Sequence, residues 1–440
     1  MATEKKFLMA AAGGASGGVQ AEFWINVRGG AGSDYGYGVA ADSLDNIIVT
    51  GRDASSGAQG DDCLIAKYNS SGALQWGRTL GGTGADYGQG VAIDSLDNII
   101  IAGYTASDGA GSSDFLIAKY NSSGALQWDR TLGGTGNDIG QDVAIDSSDN
   151  IIVIGYITSD GAGGYDCLIA KYNSSGVLQW DRTLGGTGTD VGQDVAIDSS
   201  DNIVIAGYTA SDGAGGNDVF IAKYNSSGVL QWDRTLGGTG SDVGQSVAID
   251  SSDNIVIAGY TNSDGAGSND ILIAKYNSSG VLQWDRTLGG TGNDLGYEVD
   301  VDSSDNIIVT GRVDSDGANN YDLLVAKYSS SGVLQWDRTL GGAGTDVGLG
   351  VTIDSSDNII VTGYTDSGGA GGNDIIIAKL PSDGSLEGTY GPLTYADAVL
   401  TDAEAVLTDA AAVLTDAPAV LTDAEAVLTE VKLHTLLTIS

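Results

Sequence analysis

Residues 222–232 read AKYNSSGVLQW, and the stretch recurs with small changes along the chain. By itself it is a short apolar strand, a four-residue turn and a second strand ending in Trp232. Its period decides the fold. All seven tryptophans, Trp24, Trp76, Trp128, Trp180, Trp232, Trp284 and Trp336, stand 52 residues apart without an insertion. A fixed period of that size signals a solenoid or a propeller, each unit being one supersecondary element.

Outward from the stretch, residues 192–233 parse into four strands by alternation and turn residues. Gly192–Asp198 is strand A, and Ser199-Ser200-Asp201-Asn202 is a hairpin turn into the apolar strand B, Ile203–Tyr208. A polar loop over 211–216 leads to strand C, Val219–Tyr224; Asn225-Ser226-Ser227-Gly228 then turns into strand D with Trp232. Four antiparallel strands joined by short loops make a propeller blade; β-solenoid repeats are far shorter, and no helical period is present. The expectation is an all-β chain, a seven-bladed propeller over residues 21–390. The chain starts with a lone strand D, Ala21–Trp24, and its repeats end with strands A, B and C over 350–380. Pairing these two ends closes the ring and leaves no open edge inside it. A partial eighth strand D, Gly384–Tyr390, lacks the tryptophan and is expected to exit the ring.

Residues 1–20 read as a flexible Gly/Ala-rich arm; Lys5, Lys6 and a short apolar run only faintly imitate a signal peptide. Beyond Pro392 the composition changes. Leu400, Leu407, Leu414, Leu421 and Leu428 recur every seven residues, each preceded by Val and followed by Thr. With Ala403, Ala410, Ala417 and Ala424 between them, the heptad suits a narrow helical seam over 391–440, used for oligomerisation or docking. Val and Thr are mediocre helix formers and Pro418 interrupts the pattern. A segment that orders only on a partner, and a β arrangement, therefore stand beside the helix.

The 69 Gly against 3 Pro point to many tight turns, and 41% apolar residues are enough for a core. With 58 acids, 19 bases and a formal charge of −39, nucleic acid and anionic membranes are disfavoured as partners. No segment approaches the ~20 apolar residues that span a bilayer. Cys63 and Cys167 share a repeat position with Phe115, Val219, Ile271, Leu323 and Ile375, and so read as small buried hydrophobes.

The only histidine, His434, lies in the tail, which leaves the ring no imidazole base or nitrogen metal ligand. A near-symmetric ring also offers no singled-out acid/base pair, so an enzyme is not expected. Aspartates abound and recur. Asp34, Asp86, Asp138, Asp190, Asp242, Asp294 and Asp346 sit in the loop from strand D to the next strand A. Asp108, Asp160, Asp212, Asp264 and Asp316 sit in the B–C loop, and Asp114, Asp166, Asp218, Asp270 and Asp322 just before strand C. Two readings stand: turn caps bonded to their own backbone, or a crown of carboxylates on one face. Such a crown would bind a ligand through the first set and calcium, the one candidate cofactor, through the other two. Asp314-Ser315-Asp316-Gly317 resembles the start of an EF-hand loop but lacks its closing glutamate. Asp42, Asp45 and their copies are read as A–B turn chemistry on the opposite face, and Asn-Ser-Ser as a hairpin turn rather than a glycosylation acceptor. The sevenfold pattern breaks at Arg52 and Arg312, which stand where Tyr104, Tyr156, Tyr208, Tyr260 and Tyr364 recur, and at Tyr297-Glu298.

The phrases TLGGTGNDIG (131–140) and VAIDSSDNIIV (143–153) resemble the SBBP-type β-propeller repeat, and the resemblance covers residues 21–390. Such repeats occur in bacterial surface and secreted proteins, and similar AKYNSSG-rich chains occur among marine bacteriophage virion proteins. The resemblance implies a non-enzymatic, virion-associated structural or host-adhesion protein. Its partners would be virion or tail proteins, itself through the tail, or a host-surface glycan or protein. The alternative is a bacterial cell-surface or secreted propeller that binds a protein or glycan.

Overall fold

The computed structural model describes residues 3–9, 23–55, 60–314, 320–369, 371–398, 400–412, 414–417, 419, 421–425 and 429–432. Seven antiparallel sheets form the seven blades of a propeller, and no helix occurs among the described residues. In the fourth blade strand A is Asp190–Ile197, B is Ile203–Thr209, C is Asp218–Tyr224 and D is Leu230–Gly237, paired in that order. Strands B and C are apolar on both faces because each is sandwiched between neighbouring blades. The core is accordingly a set of layers between blades. One layer packs Ile152, Cys167, Ile169 and Leu184 of the third blade against Ile203, Ile205, Phe220 and Tyr224 of the fourth. Both cysteines are free and buried, as the repeat column implied.

The recurrent AKYNSSGVLQW stretch is the latch between blades. Asn225 Oδ1 accepts the N–H groups of Ser227 and Val229 at 3.0 Å, and Gly228 adopts φ +74. That glycine lies flat against Trp180 of the preceding blade, and Trp232 packs in the same way on Gly280 of the next. A Cβ at Gly280 would approach the indole to 2.9 Å, so the turn needs glycine both for its φ and for its room. Arg234 adds a hydrogen bond from Nε to the Gly280 carbonyl at 2.8 Å.

The face bearing the A–B turns holds two further links that local turn chemistry does not contain. Ser199 Oγ donates to Asp253 Oδ2 of the next blade at 2.7 Å, and the series closes with Ser355 on Asp45 across the ring junction. The Asp45 series occupies the left-handed region at φ 58 to 61, which Asp tolerates better than most residues. Behind it, Lys223 pairs with Asp198 at 2.7 Å in a nearly dry site, and every blade repeats the pair. Burial acts to raise the Asp198 carboxyl, but the Lys223 and Asn202 bonds outweigh it and hold it below the ordinary range.

Ring closure follows the sequence expectation: Phe23–Gly29 serves as strand D of the seventh blade, with Trp24 opposite Lys379. Two expectations about the chain ends are corrected. Within the arm, Thr3–Met9 is a strand that pairs antiparallel with Phe23–Gly29, Met9 being 2% exposed; residues 10–20 lie outside the described residues. The heptad tail is not helical where it is described. Gly388–Tyr390 leaves the ring in a hairpin with Leu393–Asp397, which pairs with strand D of the sixth blade. Thr401–Glu404, Thr408–Ala411, Thr415–Ala417, Thr422–Glu425 and Thr429–Lys432 then pair with strand D of the fifth, fourth, third, second and first blades in turn. Every blade thereby gains an outer strand.

The seven-residue period is therefore the span from one blade's rim to the next, not two helical turns. Seven extended residues reach roughly 23–25 Å, and blades without insertions need the same span each time. The leucines of the expected oligomerisation seam drop instead between blades of their own ring. Leu400, Leu407, Leu414 and Leu421 join the layers that hold Trp284, Trp232, Trp180 and Trp128 respectively; Leu428 lies outside the described residues. The Thr-Asp-Ala segments between them lie extended, consistent with β-branched Val and Thr around each leucine. Tyr328 donates to Asp402 at 2.9 Å and Tyr276 to Asp409 at 3.2 Å, pinning the strap to the blades.

Candidate functional site

Strand A of each blade faces the central axis, and one repeat column lines the channel there: Gly38, Gly90, Asp142, Asp194, Glu298 and Gly350, with Ser246 of the same column donating to Glu298. The channel encloses about 90 Å³, far below the ~300 Å³ or more of a drug-sized ligand site. Its carboxyls crowd one another. Burial first, and repulsion from Asp194 second, hold Asp142 and Glu298 well above the ordinary carboxyl range. Asp194 Oδ2 accepts the Val247 N–H at 2.7 Å, and burial pushes Asp300 up to about 6. The channel is thus lined by crowded carboxyls and is too narrow for a larger guest.

The mouth of this channel, on the face of the D–A and B–C loops, is less symmetric. Around the first blade, Arg52 lies 4.3 Å over the Tyr35 ring and 5.4 Å from the Tyr87 ring. Its Nη1 donates to Asp61 Oδ2 at 3.0 Å and to the Tyr87 hydroxyl at 2.9 Å, and that hydroxyl donates to Asp61 at 2.7 Å. Tyr35 stacks on Tyr37 at 5.9 Å and meets Tyr364 edge-on at 4.6 Å, while Tyr87 meets Tyr104 at 4.8 Å. Two blades away around the closed ring, Arg312 lies 4.0 Å over the Tyr321 ring. Tyr260, Tyr297 and Tyr364 all feel its charge. These rings are half-buried, so each keeps part of its surface available to a ligand.

The sequence-predicted aspartates sit elsewhere and do other work. All seven of the Asp34 series are buried at 2% exposure or less. Asp86 accepts the Gly82 N–H at 2.8 Å and the Ser107 hydroxyl at 2.6 Å, and also bonds Thr105, tying the D–A loop to the B–C loop. Asp114, Asp166, Asp218 and Asp270 each accept a backbone N–H from the B–C loop that wraps them. Asp322 is buried in the same repeat position. The structure brings the two sets together, one from each side of a blade junction: the Asp62 and Asp86 carboxylates flank Gly81. Burial first, and Asp242 second, push Asp218 up to about 6. Instead of a crown open to solvent, the carboxylates form seven buried clamps. Asp108, Asp160 and Asp212 are half-buried in their loops, and Asp264 Oδ2 accepts the Val406 N–H of the strap at 2.7 Å. Asp316 lies outside the described residues. Among the described residues no three acidic, His or Cys groups converge on a point where a cation would sit.

Arg52, Arg312, Tyr297 and Glu298, the breaks noted in the sequence, all lie on the axis or at its mouth. Asp142, Asp194, Asp61 and Tyr321 escaped notice. Reading column 38 down the repeats, Gly-Gly-Asp-Asp-Ser-Glu-Gly, would have found the first two.

Family models agree with this architecture. The β-propeller repeat model SBBP matches residues 75–109 and 231–265. In those two stretches the chain is similar to the SBBP-type β-propeller repeat. A β-propeller domain of unknown function, DUF5122, also matches residues 97–126, 199–230, 251–282 and 355–390. An uncharacterised WD repeat-containing protein of Acanthamoeba polyphaga mimivirus is 23% identical over 431 aligned residues, covering 66% of this chain and 31% of the relative. The regulatory protein FlaEY of Caulobacter vibrioides is 27% identical over 223 residues, covering 43% of this chain and 22% of its own length. The chain therefore spans less than a third of the length of these curated relatives. Among known structures, the WD40 β-propeller domain of Doa1 aligns with TM-score 0.47 at 13% identity, covering 86% of this chain and 97% of that one. A gluconolactonase of Xanthomonas campestris aligns with TM-score 0.41 at 10% identity, covering 86% and 95%. At these scores the likeness adds nothing to the topology already described.

Proposed function

We propose that the chain is a non-enzymatic binding module, a virion-associated protein that uses the axial mouth of its propeller to adhere to a host surface. The observation that carries the binding reading is the location of the asymmetry. Blades that agree nearly everywhere else differ at one mouth, where two arginines and a crescent of tyrosines gather. Ring residues shared by all blades hold the fold; residues that depart from the column are free to recognise something. A binding role fits this mouth better than catalysis, because the unique carboxyls, Asp142, Asp194 and Glu298, line a channel too narrow for a substrate. The virion setting is supported by the resemblance to phage virion chains and by the viral relative.

The test is twofold. Mass spectrometry of gradient-purified particles should find the chain at a fixed stoichiometry. Purified protein added to host cells should compete with particle adsorption. Absence from particles would move the reading to a bacterial surface or secreted propeller.

A further inference from the structure

The first and sixth blades both place arginine where the other five place tyrosine, and they treat it differently. In the first blade Asp61 and the Tyr87 hydroxyl take Nη1 of Arg52. In the sixth blade both partners are replaced: the Asp61 position is Tyr321 and the Tyr87 position is Val347. Arg312 is left stacked on Tyr321, and among the described residues no carboxylate or hydroxyl accepts from it. Its Nε, like that of Arg52, is shut away from solvent without an acceptor, so the difference lies in the missing partners of its terminal nitrogens. A half-buried guanidinium with no counter-ion is costly, all the more conspicuous in a chain of net charge −39.

We propose that the sixth-blade side of the mouth binds a carboxylate-bearing pyranose. Arg312 takes the carboxylate in its two-pronged donor geometry. The half-buried faces of Tyr321, Tyr297 and Tyr364 offer flat apolar surface for the sugar ring, with a few polar groups to fix it. The chain's own field selects the class of ligand. An acidic peptide or another polyanion is repelled at long range by the surrounding excess of acids. A single carboxylate on an otherwise neutral saccharide meets little of that field, and its charge is met locally by Arg312.

The proposal rests on the binding-module reading but is separable from it. The experiment is calorimetric titration of the full chain with a uronate-containing tetrasaccharide and with its carboxyl-reduced counterpart. Binding of the uronate form, weakened at least tenfold by carboxyl reduction and at least tenfold by Arg312→Gln, is the expected result. Arg312→Lys should also weaken binding, because the charge remains but the fork is lost; circular-dichroism melts of both variants establish that they fold. The ligand-side comparison needs no variant at all. Equal binding of the reduced sugar, no binding of either at millimolar concentration, or binding of a poly-glutamate peptide as tight as the sugar would each overturn the proposal. Adhesion through a neutral glycan would overturn it while leaving the binding-module reading intact.

Discussion

Consider replacing Leu400, Leu407, Leu414 and Leu421 together with alanine. Each leucine is partly buried, in a different interblade layer beside Trp284, Trp232, Trp180 or Trp128. A fully buried Leu→Ala change costs about 2–5 kcal/mol, so partial burial sets each loss at about 1–2 kcal/mol. The sites lie on separate blades and share no partner, so the losses add to roughly 4–8 kcal/mol. Hydrogen bonds to strand D contribute only about 0.5–1.5 kcal/mol each, so without the leucines the strap should detach while the ring stays folded. Hydrogen exchange should show amides of 401–425 losing protection while those of strands B and C keep it. Limited proteolysis should cleave after 390, and sedimentation should give the same mass as the parent. If the variant instead changed oligomeric state with its tail amides unaltered, the leucines would be a seam between chains, and the strap reasoning would fail.

Three other outcomes follow from the same structure. Gly280→Ala combines φ +75 with a Cβ 2.9 Å from the Trp232 ring and should cost about 2 kcal/mol or more in urea unfolding; an unchanged midpoint would mean that the latch tolerates a side chain. Asp218, Asp285 and Asp300 are pushed up to about 6, so the folded chain binds their protons more tightly than the unfolded one. Their burden is relieved as pH falls from about 6 to about 4. The Lys-paired carboxyls of the Asp42 series, held low, stabilise above the unfolded value and lose that contribution only as pH falls through their depressed folded value. The melting temperature should thus rise on mild acidification and fall steeply in stronger acid; a steady decline from pH 7 to 5 contradicts this. Millimolar calcium should leave the melting temperature unchanged, because the loop aspartates already accept backbone N–H groups; a chelator-reversible rise would show a cation site.

The propeller was legible because its evidence is periodic and local. Trp232 and Asn225-Ser226-Ser227-Gly228 announce a strand and a turn, and their spacing counts the blades. What the same stretch could not reveal was its partner, since Gly280 is met by Trp232 only after the ring is assembled. The Ser199–Asp253 link and the Lys223–Asp198 pair are hidden for the same reason: each joins residues from different turns or blades. The tail misled because seven residues is also the helical heptad. Leucine spacing reports only that a face repeats, and an extended chain stepping around a ring of equal blades repeats as strictly as a coiled coil. The Asp34 series was correctly seen as recurrent, but its burial depends on the loop from the neighbouring blade folding over it. At the mouth, Arg52 and Arg312 stood out as departures from their column, whereas their unequal surroundings appeared only when Asp61 and Tyr321 were placed beside them.

The strap counter-winds the ring: the blades run first to seventh along the chain, while the outer strands run sixth back to first. A load applied at the C-terminal end therefore meets the outer strands one at a time, peeling three or four residues from one blade before the next is disturbed. The ring inside is fastened independently by Phe23–Gly29 and feels none of this until the last outer strand has gone. Pulled from that end, the chain would unwind like a bandage, lengthening in small steps and dissipating work at each, while the ring keeps its shape.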